Sequence, residues 1–200
     1  MAASPQENLT TFLDNLKEAV GLKATCETPL SRAWRRVVDG LSHGPGETRD
    51  VRRPTLPPAC AHLEACYDGL RDAELPMRGL GKAFQAIEPV LAWSNRAERR
   101  AADGLADRYA DAMIVGRDGP VPSTHVEIGV SVMAPDTIYP DHRHPPEEVY
   151  IALSAGAWRQ NDGPWNEPGI GGLIYNPAHI VHAMRSGDKA FLAIWCLPLP

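Results

Sequence analysis

Several things are scarce in this chain of 200 residues. Its four cysteines, Cys26, Cys60, Cys66 and Cys196, are irregularly spaced and form no Cys-x-x-Cys. Disulfides are therefore not expected, and reduced thiols are. No apolar run approaches the about 20 residues of a membrane span. The first residues, Met1 to Asn8, lack a basic n-region and an apolar h-region, which makes the cytoplasm the expected compartment. Neither half carries the basic patch of a nucleic-acid binder. There is no internal repeat and no low-complexity tract. What remains is an ordinary soluble composition, 44% hydrophobic and 22% charged, enough for one good core with an appended layer. Of the net charge of −5, four units fall in residues 119–200, where eight acidic residues face four basic ones. An acidic mouth favours a cationic substrate, and it equally serves solubility.

Two hydrophobic periods divide the chain. Leu9, Phe12, Leu13, Leu16 and Val20 make a helical stripe after Ser4-Pro5-Gln6-Glu7, where proline suits a first turn. A second helix follows Thr28-Pro29, with Leu30, Ala33, Trp34, Val37, Val38 and Leu41 on its apolar face. A third is expected over about 58–71, where Cys66 shares a stripe with Leu63, Tyr67 and Leu70. That stripe makes Cys66 a core residue rather than part of a second metal site with Cys60 and His62. Residues 44–54 read as a solvated loop. From about residue 86 the period shortens. Apolar or alternating runs at 87–93, 110–115, 125–133, 148–153, 173–175 and 190–197 are separated by Gly, Pro, Asn and Asp, as in an antiparallel barrel. Residues 94–109 fit either a helix or a covering loop. The expected architecture is mainly β, with an α-helical extension over 1–85 packed on a β-barrel over 86–200.

The chemistry is concentrated in Tyr139-Pro-Asp-His142-Arg-His144-Pro-Pro-Glu-Glu148-Val-Tyr150 and in Pro177-Ala-His179-Ile-Val-His182. If the first run is a strand, alternation places His142, His144, Glu148 and Tyr150 on one face. Pro145 and Pro146 exclude a regular central ladder and call for an edge or a bent strand. Gly171, Gly172 and Pro177 then turn the chain so that His182 can supply a ligand from a separate strand. Imidazole and carboxylate without cysteine suit Zn²⁺, Fe²⁺, Mn²⁺, Co²⁺ or Ni²⁺ and an open coordination position. The blander reading of a solvated His-x-His edge loses ground because two clusters occur together. His43, His62 and His125 stand apart and read as structural or rim histidines.

His142-x-His144-x3-Glu148-x7-Gly156, followed by Gly171-x5-Pro177-x-His179-x2-His182, resembles the two motifs of the cupin superfamily, small β-barrels or jelly rolls that hold a metal in the barrel mouth. The likeness covers residues 129–186. Asp136 and His179 stand where those motifs usually have Gly, and Ser186 where they usually have Asn. Tyr139, Tyr150, the His179/His182 pair and the helical extension narrow the resemblance to the cupin-type dimethylsulfoniopropionate (DMSP) lyases of marine bacteria.

That resemblance implies a lyase that cleaves DMSP to dimethyl sulfide and acrylate with one divalent metal, Zn²⁺, Fe²⁺ or Mn²⁺. It implies His144, Glu148 and His182 as metal ligands, His142 as a site histidine whose direct ligation stays open, Tyr150 as the catalytic or metal-touching tyrosine and Tyr139 as a second pocket tyrosine. A metal beside the substrate carboxylate stabilises the charge left when the α-proton departs, and a nearby cation favours the Tyr150 phenolate as the base. Tyr139 and Trp195 offer aromatic faces to the sulfonium, although Trp195, within Ala190 to Cys196, reads first as a core residue. His179 could orient a ligand or the substrate as a hydrogen-bond donor. The expected partner is a small molecule, with neither nucleic acid nor membrane. The oligomeric state stays open, a homodimer included. Fold and metal motif do not fix the reaction, so a cupin dioxygenase or isomerase and a noncatalytic ligand-binding cupin remain alternatives.

Overall fold

The computed structural model describes residues 3–43, 48–52, 55–95 and 104–200. Four helices come first. Helix α1 (Pro5–Gly21) opens on a capping box in which the Ser4 hydroxyl accepts from Glu7 N–H and the Glu7 carboxylate accepts from Ser4 N–H. Helix α2 (Pro29–Ser42) repeats the device with Thr28 and Ser31. The third expected segment divides: Pro58–His62 winds as a 3-10 turn, and α3 (Leu63–Arg71) continues it. Helix α4 (Met77–Ile87) has no counterpart among the helices anticipated above, although Met77, Leu80, Phe84 and Ile87 recur at helical spacing on its buried side. Phe84 is its packing centre, with ring centroids 6.2 Å from Phe12 and 6.1 Å from Tyr67.

The run 87–93 therefore forms no strand. Ile87 ends α4, and Glu88–Val90 adds a 3-10 turn in which Trp93 Nε1 donates to Glu88 Oε1 at 2.8 Å. Only Ser94 reaches the sheet, exchanging two backbone hydrogen bonds with Asp111. Half of the undecided stretch 94–109 lies outside the described residues, and 104 and 106–108 are turn.

The rest is antiparallel β-structure: β1 (Tyr109–Val115), β2 (Val126–Met133), β3 (Ile138–His142), β4 (Glu148–Ala152), β5 (Ala157–Gln160), β6 (Leu173–Asn176), β7 (His182–Arg185) and β8 (Phe191–Pro198). They divide into a five-stranded sheet, β1-β2-β8-β4-β6, and a three-stranded sheet, β3-β7-β5. The form is the double-sheet jelly roll, not one closed cylinder.

The larger sheet is covered on both faces. Ile128, Val130, Ile151, Leu192 and Ile194 point to the helices and share their core with Phe12, Leu16, Val37 and Phe84. Met113, Met133, Tyr150, Phe191, Ala193 and Trp195 point inward and meet Trp158 and Met184 of the smaller sheet. Double coverage explains why β8 reads as an unbroken apolar run, Phe-Leu-Ala-Ile-Trp-Cys-Leu-Pro, with every residue buried. Among the described residues no helix is long and apolar enough to cross a membrane.

Gly129 makes room for the inward Trp195. A Cβ there would lie inside the indole and 2.7 Å from the Ala112 carbonyl oxygen. Gly129→Ala should lower unfolding stability by roughly 1–3 kcal/mol through overpacking, measured by chemical denaturation. An unchanged midpoint would contradict this packing.

Candidate metal centre

The two clusters converge by a route different from a single strand face. Strand β3 belongs to the smaller sheet and β4 to the larger, so Arg143-His144-Pro145-Pro146-Glu147 is the turn that carries the chain between them. Two prolines have no N–H for a ladder, which keeps this segment out of both sheets. The backbone N–H of His179 donates to the His144 carbonyl at 2.9 Å and ties the two motif loops together. His182 enters β7 directly opposite His142.

A bulge completes the convergence. Tyr139 pairs with Met184 and His142 with His182, so three steps along β3 match two along β7. The extra residue turns the alternation over. Odd-numbered Tyr139 and even-numbered His142 thus share the inner side, ring centroids 4.7 Å apart.

The ring nitrogens that His142, His144 and His182 could offer to a metal lie within 4.8 Å of one another. Each ring is held by its other nitrogen. Nδ1 of His142 contacts the Pro140 carbonyl at 3.0 Å, that of His144 the Pro146 carbonyl at 2.9 Å, and that of His182 the Ile180 carbonyl at 3.0 Å. A carbonyl can only accept, so each Nδ1 carries a proton and each ring turns its Nε2 toward the others. The Glu148 carboxylate completes the group, its Oε2 lying 3.4 Å from both His144 Nε2 and His182 Nε2. Lone pairs facing a carboxylate at that distance repel unless a cation lies between them, either a proton or a metal ion. His182 Nε2 is also buried without a hydrogen bond among the described residues. Three imidazoles poised through Nε2 and one carboxylate fit a divalent transition metal.

Titration follows from the same arrangement. Burial, reinforced by the neighbouring His182, pushes His142 down to about 4, so it is neutral at pH 7. Burial also opposes charge on His144, but hydrogen bonding to Glu148 and that carboxylate's charge outweigh it and raise the ring above its ordinary value. Burial would raise Glu148, and the His144 and His182 imidazoles beside it more than reverse that, holding the carboxyl well below the usual carboxylate range. Asn176 Nδ2 donates to Glu148 Oε2 at 3.0 Å, and Gln160 Nε2 donates to Asn176 Oδ1 at 2.8 Å.

Tyr150 lies on β4 two residues after Glu148, buried against Trp158 with ring centroids 5.8 Å apart. Burial first, and then the charge of the nearby Glu148 carboxylate, raise its phenol well above the ordinary value. Tyr139 sits between His142 and Tyr109, 4.6 Å from the latter's ring. Trp195 pairs with Tyr150 in register and faces the interior. His179 lies on an exposed turn in the left-handed region, with φ of 61°. That conformation accounts for the glycine usual at this point of the motif.

Three residues beside this group had no signal of their own in the sequence. Asn176 and Gln160 are reached only through the β4–β6 and β5–β7 registers, which set Asn176 opposite Glu148 and Gln160 opposite His182. Tyr109, whose hydroxyl is 3.1 Å from Ser131 Oγ, starts a strand remote from both motifs.

The sequence matches the dimethylsulfoniopropionate lyase family over residues 30–193. A Cereibacter sphaeroides protein assigned as dimethylsulfoniopropionate lyase DddL is 35% identical over 139 residues, which cover 68% of this chain and 57% of that protein. Dimethylsulfoniopropionate lyase DddQ of Ruegeria pomeroyi is 32% identical over 142 residues, covering 70% of this chain and 68% of that protein. The match thus spans little more than half the length of DddL. The crystal structure of DMSP lyase DddQ from Ruegeria pomeroyi superposes with a TM-score of 0.71 at 24% identity, over 94% of this chain and 91% of that one. One from the crystallographic work on DMSP lyases RdDddP and RnDddQII also gives 0.71, at 21% identity over 98% and 94%. These likenesses show the shared fold, a double-sheet jelly roll behind N-terminal helices.

Because His179 holds a left-handed backbone conformation, His179→Gly should stabilise the protein by about 1 kcal/mol, the relief exceeding glycine's extra freedom in the unfolded chain. Chemical denaturation checks this; a loss of stability would mean that the imidazole makes compensating contacts.

Proposed function

The chain belongs to the dimethylsulfoniopropionate lyase family, and on that premise we propose that it is a metal-dependent carbon–sulfur lyase, cleaving DMSP by β-elimination to dimethyl sulfide and acrylate. The observation that carries the reading is the convergence of three imidazole rings and the Glu148 carboxylate two residues before the buried Tyr150 on the same strand. His144, Glu148 and His182 would hold the metal, with His142 adding a fourth donor from the opposite strand. Zn²⁺, Fe²⁺ and Mn²⁺ all suit this N/O set. A cation so held supplies Lewis-acid stabilisation of the substrate carboxylate and draws the nearby phenol toward its ionised form.

The remaining work falls to the chain's own groups. Tyr150 Oη takes the α-proton. The electron pair released from the C–H bond forms the carbon–carbon double bond, and the Cβ–S pair leaves with sulfur as neutral dimethyl sulfide. The same burial that raises the Tyr150 phenol when no cation is near keeps water from competing for the proton. Tyr139, against His142 and Tyr109 on the inner side, and Trp195, inward on β8, would offer ring faces to the sulfonium, each worth about 0.5–2 kcal/mol according to how far the pair is desolvated. The acidic excess of residues 119–200 suits a cationic substrate better than an anionic one. His179, on the turn that meets His144, would orient substrate at the rim.

Headspace detection of dimethyl sulfide from purified, metal-analysed protein incubated with DMSP tests the activity. Tyr150→Phe should lower kcat by roughly 10²–10⁴-fold while leaving bound metal at the wild-type level; undiminished turnover would remove Tyr150 as the base. His144→Ala and His182→Ala should lose metal and turnover together, and retention of stoichiometric metal by either would remove that histidine from the ligand set. Turnover by the Zn²⁺ form without oxygen would separate this chemistry from a dioxygenase, which needs a redox-active metal.

A further inference from the structure

Glu147, one residue before Glu148, is the point at which the N-terminal helices reach the candidate metal centre. Its side chain turns away from the site to the opposite side of β4 and is mostly buried, 13% exposed. Both of its carboxylate oxygens are engaged. Arg36 Nη2 of α2 donates to Oε1, and Tyr175 Oη of β6 donates to Oε2 at 2.8 Å. Tyr175 is itself fixed, since its carbonyl accepts from Gln160 Nε2 at 2.6 Å and its strand pairs with β4.

The position of this clasp matters more than its strength. An ion pair whose Arg36 side chain is 63% exposed contributes little to global stability. The segment it holds, however, is the sheet-to-sheet turn with two prolines and few backbone donors. On one side of Glu147 the Pro146 carbonyl accepts from His144 Nδ1 and sets the direction of that ring. On the other side Glu148 begins β4 and aims its carboxylate at His144 and His182. A rotation of the 146–148 backbone would misdirect both.

We propose that Arg36, Glu147 and Tyr175 are positioning residues for the metal centre, and that α2 acts through them to preset the geometry of His144 and Glu148. The inference rests on the metal reading above. Groups that orient metal ligands without touching the metal typically change affinity by about 10–100-fold when removed, and that is the effect expected here.

The test measures the Zn²⁺ dissociation constant by competition with a chromophoric chelator, alongside thermal unfolding of the metal-free proteins. Wild type, Arg36→Ala, Arg36→Lys, Glu147→Gln, Tyr175→Phe and the Arg36→Ala/Glu147→Gln double variant are compared. Arg36→Ala and Glu147→Gln should each weaken Zn²⁺ binding by about 10-fold or more with a small change in melting temperature. The double variant should be no weaker than the worse single one, and Arg36→Lys should recover part of the affinity. Arg36 lies on an exposed helix face, so its variants fold even if those at Glu147 do not. Wild-type affinity in the Arg36→Ala and Tyr175→Phe proteins would overturn the proposal while leaving the metal reading intact. Absence of Zn²⁺ binding by the wild type would overturn both.

Discussion

The buried carboxylate of Glu148 is the constraint on which the rest of this molecule depends. A charge in a dry interior is tolerated only when it is paired and hydrogen-bonded. Glu148 meets two imidazole Nε2 atoms at 3.4 Å and the Asn176 amide at 3.0 Å. An unprotonated Nε2 at that distance would set its lone pair against the carboxylate, so a cation between them, a proton or a metal ion, suits this group. Two strands and a turn, drawn from both sheets, therefore have to meet at one point, and the features that look irregular elsewhere in the fold are the means of that meeting. They are the Pro145-Pro146 turn, the β3 bulge and the left-handed backbone at His179.

Support for the carboxylate is layered through hydrogen bonds rather than apolar packing alone. Gln160 holds Asn176, and Asn176 holds Glu148. Three histidine rings are each clamped by a main-chain carbonyl within two residues of themselves. Such short-range clamps fix tautomer and direction together, as a preorganised metal site requires. The larger sheet supplies the rigid base for this, because helices cover one of its faces and the smaller sheet the other.

Much of the architecture was legible in the chain. Capping residues and apolar stripes marked α1, α2 and α3, and short runs between turn residues marked most of the strands. Helix α4 and the fate of 87–93 were harder, since a short apolar run looks alike at the end of a helix and in a buried strand. At the site, His142, His144, Glu148 and His182 were recognisable by type and spacing, but the reason offered for their convergence was different from the one found. One strand face was expected for His142, His144 and Glu148, with His182 from a separate strand; two sheets joined by the turn that carries His144 were observed. Parity along the sequence stopped predicting facing at the β3 bulge, and Asn176 and Gln160 became neighbours of the carboxylate only through strand register.

What the sequence determined by itself is the set of donors and the local conformations: imidazoles beside acceptor carbonyls, prolines that forbid a ladder, and caps that start helices. These depend on residues a few positions apart, and the chain carries them wherever it goes. What only the tertiary structure decided is which donors face one another, which charge is stripped of water, and which helix touches the turn that carries His144. Register, burial and sheet-to-sheet approach are set by packing across the whole chain. For that reason the contact of Arg36 with Glu147, beside the candidate metal centre, is written in no local motif.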